Sequence, residues 1–85
     1  MKPVRWTQHA MDDLAARDIS REEVERTLAA PDRIAAGRPP RLIYQCRYRD
    51  ALLGEEMLLR VVIEETELER VIITLYKTSK FMKYE

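Results

Sequence analysis

The sequence is poor in the residues that build disulfide and metal sites, with a single cysteine and a single histidine among 85 residues. A lone cysteine cannot form an internal disulfide, and one cysteine with one histidine cannot complete a zinc cluster. We therefore expect neither a metal nor a cofactor. No apolar run exceeds three residues, which argues against a membrane-spanning helix and against a secretory signal. These absences predict a cytoplasmic protein with no membrane partner.

Glycine and proline are also scarce, at two and four residues, whereas 46% of the residues are hydrophobic. This composition excludes a disordered or low-complexity chain. At 85 residues the chain is too short for two hydrophobic cores, so the sequence predicts a single domain over residues 1–85. Any functional site must then lie on that one scaffold.

The charges cancel in number but not in position. Fifteen basic and fifteen acidic residues leave no net charge, which argues against a strongly basic nucleic-acid binder. Residues 38–49, however, contain four arginines and no acid, and residues 76–84 contain three lysines and no acid. The planar fork of arginine suits phosphate and carboxylate groups. Both segments are candidates for binding an anion, with ordinary solvated charge as the alternative.

Two capping signals predict two helices near the N-terminus. Thr7 is suited to an N-cap and precedes apolar residues at helical spacing, which predicts a helix over about residues 8–17. Ser20 and Glu23 match a capping box, which predicts a second helix over residues 21–30 that ends before a proline. The apolar faces expected are Ala10, Met11, Leu14 and Ala15 in the first helix, and Val24, Thr27 and Leu28 in the second.

Beyond residue 40 the hydrophobic period changes to two, which predicts strands over residues 42–49, 58–64 and 70–76. Their connections are too short for crossover helices, so the strands should form an antiparallel meander. Residues 31–40 are predicted as a loop, and residues 4–6 as an additional short strand. The expected fold class is α+β, with two N-terminal helices packed on one face of a three- or four-stranded antiparallel sheet, in the order ααβββ.

The sheet face turned away from the helices has an unusual composition. The alternation places on it Gln45, Arg47, Arg49, Arg60, Thr74 and Tyr76, among Ile43, Leu58, Val62 and Ile72. Arginines aligned on adjacent strands are suited to binding phosphate. The alternative is that they pair across strands with Glu55, Glu56 or Glu64.

Four residues are catalytic candidates, because their side chains can transfer a proton or bind a phosphate: His9, Arg47, Arg60 and Tyr76. Cleavage of a phosphodiester without a metal needs a base, an acid and cations that stabilise charge on the phosphorane. His9 can serve in either proton role, or it can be a structural residue bonded to the backbone or to Trp6. Arg47 and Arg60 can clamp one phosphate. Tyr76 can stack a base or donate a hydrogen bond to phosphate, with a cross-strand aromatic contact as the alternative.

Five further residues are candidates for binding RNA: Arg41, Arg49, Thr74, Lys77 and Lys80. The two lysines belong to a C-terminal stretch in which cations alternate with aromatic residues, as in proteins that bind single strands. Phe81, Met82 and Tyr84 can instead dock on the helices and anchor the terminus.

Three other features have structural interpretations of their own. Arg17 is placed to satisfy carbonyls at the end of the first helix. Leu52 and Leu53 form an apolar turn tip that suggests a partner or dimer contact, with an extension of the strands as the alternative. Cys46 is predicted to lie on the inward face as a buried, unreactive thiol.

The order of motifs along the chain resembles a family of small bacterial domains of unknown function. That family has the pattern T-x-H-A-x-x-R-x-x-x-R-x-I-S-x-x-x-V, followed by a Pro-Asp pair, an aromatic-Gln strand, an L-R-V-V-V strand and a V-x-T-x-Y strand. The corresponding residues here run from Thr7 to Val24 and then through Pro31-Asp32, Tyr44-Gln45, Leu59-Arg60-Val61-Val62-Ile63 and Ile72-Ile73-Thr74-Leu75-Tyr76. The chain departs from the pattern at Asp13, where the family has its first arginine.

The family in turn resembles the RelE and BrnT toxins at the level of fold. This resemblance implies a RelE-like arrangement, RNA as the target, metal-independent endoribonuclease activity and an antitoxin partner. The leading hypothesis is therefore a ribonuclease toxin of a toxin–antitoxin pair, with a homodimer as a further assembly. The second hypothesis is a catalytically silent module that binds a protein or peptide, which the near-neutral charge and Asp13 favour.

Overall fold

The computed structural model describes residues 2–84, which form five strands and three helices. In chain order these are β1 (Val4–Trp6), α1 (Gln8–Ala16), α2 (Arg21–Ala29), β2 (Arg33–Ala36), β3 (Arg41–Asp50), β4 (Glu55–Glu65), β5 (Arg70–Thr78) and α3 (Phe81–Tyr84). The strands form one sheet in the order β1-β5-β4-β3-β2. The fold is α+β, as predicted. No helix within residues 2–84 has the length and apolar character needed to cross a membrane.

The prediction of an antiparallel sheet of three or four strands was wrong, because the sheet has five strands and is mixed. The β1 strand pairs in parallel with β5, and the other three pairings are antiparallel. The β2 strand lies within the segment predicted as a loop and pairs with β3. Its four residues are too few to show a period of two, and only the neighbouring strand recruits them into the sheet.

Both predicted helix starts are confirmed. The hydroxyl oxygen of Thr7 accepts a hydrogen bond from the Ala10 amide, and that of Ser20 accepts one from the Glu23 amide. Each bond satisfies an amide that has no partner inside its helix. The two helices end within one residue of the predicted positions.

The two long helices pack on one face of the sheet and enclose the core. The α1 helix lies against β5, and α2 lies against β3 and β4. The core residues are Ala10, Ile19, Val24, Leu28, Tyr44, Leu59, Val61, Ile63, Ile72 and Leu75. The predicted face of α1 was partly wrong, because Met11 and Ala15 are exposed while Asp13 is buried.

A bulge in β5 changes which of its residues face the core. Val62 pairs with Thr74, whereas the next residue of β4, Ile63, pairs with Ile72, so Ile73 is the extra residue. The inserted residue reverses the alternation on its two sides. As a result Ile72 faces the core, where a regular strand would place it on the opposite face. Thr74 and Tyr76 keep the predicted position on the face away from α1 and α2.

Candidate nucleic-acid interface

Three polar side chains form a row across the centre of the sheet, on the face away from α1 and α2. Gln45 of β3 is the register partner of Arg60 of β4, and Arg60 is the register partner of Tyr76 of β5. Register partners on neighbouring strands bring their side chains close together on one face. The strand pairing therefore aligns an amide, a guanidinium and a phenol, and we call Gln45, Arg60 and Tyr76 the polar row.

Hydrogen bonds join the members of the polar row. Arg60 Nε donates to Gln45 Oε1 at 3.1 Å, and Arg60 Nη1 donates to the hydroxyl oxygen of Tyr76 at 2.6 Å. Arg60 is only 7% exposed and Gln45 only 1%. Within residues 2–84 no carboxylate oxygen lies within 4.0 Å of the Arg60 guanidinium. Among the described residues, neutral oxygen atoms and no counter-charge therefore satisfy this buried cation.

The C-terminal end of the described chain covers this row. We call residues 79–84 the C-terminal strap. The Arg60 guanidinium lies 4.0 Å from the centre of the Tyr84 ring, and the Tyr84 carbonyl accepts hydrogen bonds from Gln45 Nε2 and Arg33 Nη1. The ring of Tyr84 also meets that of Tyr76 edge to face at 6.4 Å. The terminus is anchored, as one interpretation of the sequence expected, but on the polar row and not on the long helices. That interpretation was wrong for Met82, which is 96% exposed.

Arg47, the other predicted clamp residue, has an exposed side chain with several partners. Its guanidinium lies 4.5 Å from the Phe81 ring, and its Nη1 lies 3.4 Å from Glu56 Oε1. Arg47 is the register partner of Leu58, one pair along from Gln45 and Arg60. The structure therefore brings Arg47 to the edge of the polar row. Its pairing with Glu56 is one of the cross-strand pairs that the sequence offered as the alternative to phosphate binding.

Two further arginines predicted to bind RNA lie at the ends of β3. Arg41 pairs with Glu64 at 3.2 Å, which is the cross-strand alternative. Arg49 is exposed and its Nη2 donates to the Gly54 carbonyl at 3.0 Å. Neither residue contacts the polar row, so within residues 2–84 Arg60 differs from these surface arginines in being buried without a carboxylate.

His9 lies on α1 at the edge of β5 and not over the polar row. Its Nε2 lies 3.4 Å from Asp13 Oδ2, and its side chain is 69% exposed. Asp13 Oδ2 also accepts hydrogen bonds from the Thr74 hydroxyl at 2.6 Å and from the Leu75 amide at 3.3 Å. Thr74 shares a sheet face with Tyr76, two residues away, a spacing of about 7 Å along a strand. Asp13 therefore connects His9 to the strand that carries Tyr76.

The position of Asp13 follows from the short length of β1. Because β1 ends at Trp6, opposite Ile72, the rest of β5 has no strand beside it on that edge. The α1 helix runs along this edge instead, and the carboxylate of Asp13 accepts from the strand amide that a neighbouring carbonyl would otherwise satisfy. Burial alone would raise the pKa of Asp13. The hydrogen bonds from Thr74 and Leu75, with the charges of His9 and Arg17, lower that pKa below its ordinary value.

Lys77 is held on the opposite face of the sheet from the polar row. Its ammonium group donates to a carboxylate oxygen of Asp50 and, at 3.1 Å, to the carbonyl of Asp18. Asp50 also accepts from the amides of Leu52 and Leu53 in the turn after β3. The hydrogen bond from Lys77 lowers the pKa of Asp50, burial opposes this, and the two turn amides lower it further. Lys80, in contrast, is exposed on the strap.

The remaining singled-out residues lie away from the row. The Nε of Arg17 lies 3.5 Å from Asp13 Oδ1, so its guanidinium pairs with a carboxylate and not with the helix carbonyls that the sequence predicted. Cys46 lies on the core side of β3 and is half-buried; burial raises the pKa of its thiol, and the Asp32 carboxylate raises it further. Leu52 and Leu53 are 76% and 53% exposed at the turn tip. Among the described residues, no three His, Cys, Asp or Glu side chains come together as a metal-binding group.

Sequence reasoning missed three contributors to this region as site residues: Gln45, Asp13 and Tyr84. The signal for Asp13 was available, because it lies three positions after Ala10 on the core side of α1, where an acid must have partners. Gln45 was placed on the correct face without a role. The contact of Tyr84 depends on where the strap folds back, which no local pattern predicts.

Fold and site together define an α+β domain whose mixed sheet carries a buried, hydrogen-bonded arginine on the face away from its two long helices. A family model described as Domain of unknown function (DUF4258) matches residues 6–77, and the chain belongs to this family. No curated protein and no solved structure shows significant similarity to the chain.

Proposed function

We propose that this protein is an RNA-directed endoribonuclease toxin of the RelE/BrnT-like class, with a RelE-like arrangement of its helices and sheet. In this proposal it acts without a metal ion and is paired with an antitoxin. The RNA phosphate binds at the polar row, and His9 supplies a proton-transfer group at the adjacent edge of β5.

The buried state of Arg60 is the observation that carries this proposal. A guanidinium removed from water requires hydrogen-bond acceptors and gains most from an anionic one. Gln45 and Tyr76 accept hydrogen bonds from two of its five N–H groups, so further N–H groups remain that can donate to a phosphate oxygen. A surface arginine in solvent would have no such need. The polar row is thus arranged for an anion that residues 2–84 do not supply.

The neighbouring groups provide the chemistry that RNA cleavage requires. Because Arg60 donates to the phenol oxygen of Tyr76, the phenol O–H can itself donate to a phosphate or leaving oxygen. The carboxylate of Asp13 faces Nε2 of His9, which favours a tautomer with the proton on that nitrogen and leaves Nδ1 as a base. In this assignment Arg60 stabilises the phosphorane, Tyr76 donates a proton and His9 accepts one.

Expression in a bacterial host tests the proposal. Wild type should arrest growth and fragment total RNA, whereas Arg60→Met, which keeps the side-chain volume without the charge, should do neither while remaining folded. Arg5→Met is the matched control. It removes the same charge from the edge strand β1, where the Arg5 side chain is 59% exposed and paired with Glu69. If wild type leaves growth and RNA intact while folded, or if Arg60→Met is as toxic as wild type, the nuclease assignment fails.

A catalytically silent module that binds a protein or peptide is the second candidate. The exposed Leu52 and Leu53 at the turn tip favour it, because an apolar tip in water is a common contact point for a partner. Under this alternative, Leu52→Ser/Leu53→Ser would abolish partner capture, and neither the wild-type protein nor the Arg60 variant would affect RNA.

A further inference from the structure

The C-terminal strap occupies the place on the polar row that an RNA ligand would need. The Tyr84 ring stacks on the Arg60 guanidinium at 4.0 Å, as an RNA base would, and the Phe81 ring lies 4.5 Å from the guanidinium of Arg47. The Tyr84 carbonyl accepts from Gln45 and Arg33. The strap thus presents a ring to each predicted clamp arginine and a carbonyl oxygen to the groups beside Arg60.

The contacts of the strap with Arg60 are weaker than those that an RNA phosphate would make with it. Residues 79–84 contain no acidic side chain, so a neutral ring covers a buried cation. A cation–π contact is worth less than a charge-assisted hydrogen bond to phosphate. Lys80 and Lys83 also bring positive charge to the same end of the sheet, and Met82 is 96% exposed. Within residues 2–84, the strap therefore covers Arg60 through contacts that an anionic strand can outcompete.

We propose that the C-terminal strap is an internal competitor of RNA that closes the polar row in the free protein and is displaced when RNA binds. This inference rests on the proposed function, because it names how access to that same site is regulated. Displacement uncovers Arg60 and frees Lys80 and Lys83 to contact the incoming strand.

Affinity for a labelled single-stranded RNA tests the competition directly. Phe81→Ala/Tyr84→Ala keeps the chain length but removes both stacking rings, and should bind RNA about tenfold more tightly than wild type. Met82→Ala is the matched control, because that side chain is exposed within the same strap, and it should bind as wild type does. Tyr84→Ala alone is the second variant, with a smaller gain expected, should the double substitution unfold the protein.

Limited proteolysis of the wild type supplies a readout that needs no substitution. Chymotrypsin cleaves after aromatic residues, so cleavage after Phe81, whose half-buried ring lies on Arg47 in the docked strap, reports whether the strap is docked. Addition of the RNA should accelerate cleavage at this site if it displaces the strap, whereas an RNA that binds elsewhere leaves the rate unchanged.

The outcomes separate the two proposals. Equal or weaker RNA binding by the ring-free variants, while wild type binds RNA, overturns the strap inference and leaves the proposed function standing. Absence of RNA binding by wild type and by both folded variants overturns the proposed function. Tighter binding by the variants, with faster chymotryptic cleavage of RNA-bound wild type, supports both.

Discussion

The guanidinium of Arg60 lies 4.0 Å from the ring of Tyr84, so the chain covers its own buried arginine with an aromatic residue. This arrangement differs from that of Arg47, which has the carboxylate of Glu56 within 3.4 Å. Both arginines lie on the same sheet face, but only Arg60 is buried. This contrast places Arg60 at the centre of the candidate site and Arg47 at its edge.

The buried pair of Asp50 and Lys77 should stabilise the fold independently of function. Asp50→Asn removes the charge that faces Lys77 and should lower the free energy of unfolding by about 3 kcal/mol, because it leaves a buried ammonium group uncompensated. Lys77→Met should cost a similar amount. The double variant should cost less than the sum of the two single changes, since neither charge is then left alone. Urea denaturation of the four proteins measures this, and full additivity would contradict the pairing.

The same pair predicts a dependence of stability on pH. The folded-state pKa of Asp50 is lowered, so its contribution is present above the unfolded-state pKa of about 3.9 and is lost as the pH falls through the folded-state pKa. The stability difference between wild type and Asp50→Asn should therefore shrink on acidification below pH about 4. A difference that stays constant to lower pH would show that Asp50 acts through its shape and not through its charge.

Asp13→Asn should separate positioning from binding. Loss of the carboxylate removes the group that faces His9 Nε2, while the polar row keeps its own hydrogen bonds. Cleavage of RNA should fall about a hundredfold, within the range of a positioned general base, and RNA affinity should change less than about twofold. Single-turnover cleavage and RNA titrations measure the two quantities. Loss of affinity together with cleavage would assign Asp13 to the structure of the site.

A double variant distinguishes a positioning role for Asp13 from a loss of structure. If Asp13 acts by orienting His9, then His9→Ala in the Asp13→Asn background should remove little further cleavage activity, because residues that act as one unit are not additive. Thr74→Val is the control, since it removes the hydroxyl that donates to Asp13 but keeps the carboxylate opposite His9. A full additional loss from His9→Ala in the Asp13→Asn background would contradict the orienting role.

The surface cations should contribute to RNA binding according to their exposure. In a complex with single-stranded RNA, the logarithm of the binding constant falls with the logarithm of the salt concentration. Removal of one cation that contacts a phosphate should reduce the steepness of this slope by about 0.7. Lys80→Ala and Arg49→Ala should each reduce the slope, because both side chains are exposed. Lys77→Met should not, because its ammonium group is held by Asp50 and Asp18. Titrations over a range of salt concentrations test this, and a slope reduced by Lys77→Met alone would contradict it.

Local signals account for the parts of the fold that the sequence predicted well. The N-caps at Thr7 and Ser20 depend on hydrogen bonds between residues only three positions apart, so a short stretch of sequence contains both partners. The alternation along β3 and β4 likewise predicted the face of Arg60 and Gln45. Strand register was then enough to align them with Tyr76.

Long-range packing decides the features that the sequence did not predict. The bulge at Ile73 and the recruitment of β2 both depend on partners in another strand. The hydrogen-bond partners of Asp13 on β5 lie more than sixty residues away, and the contact of Tyr84 with Arg60 joins elements that are distant in sequence. No periodicity within one segment records such contacts.

The affinity of the purified full-length protein for a labelled single-stranded RNA at low salt tests the central claim most directly. Arg60→Met and Arg5→Met remove the same charge from a buried and an exposed position, and circular dichroism checks that both are folded. The account predicts that Arg60→Met weakens binding at least about tenfold, the loss expected for one charge-assisted contact, and that Arg5→Met changes it less than about twofold. Equal affinities for wild type and a folded Arg60→Met would contradict the assignment of the polar row as the RNA site.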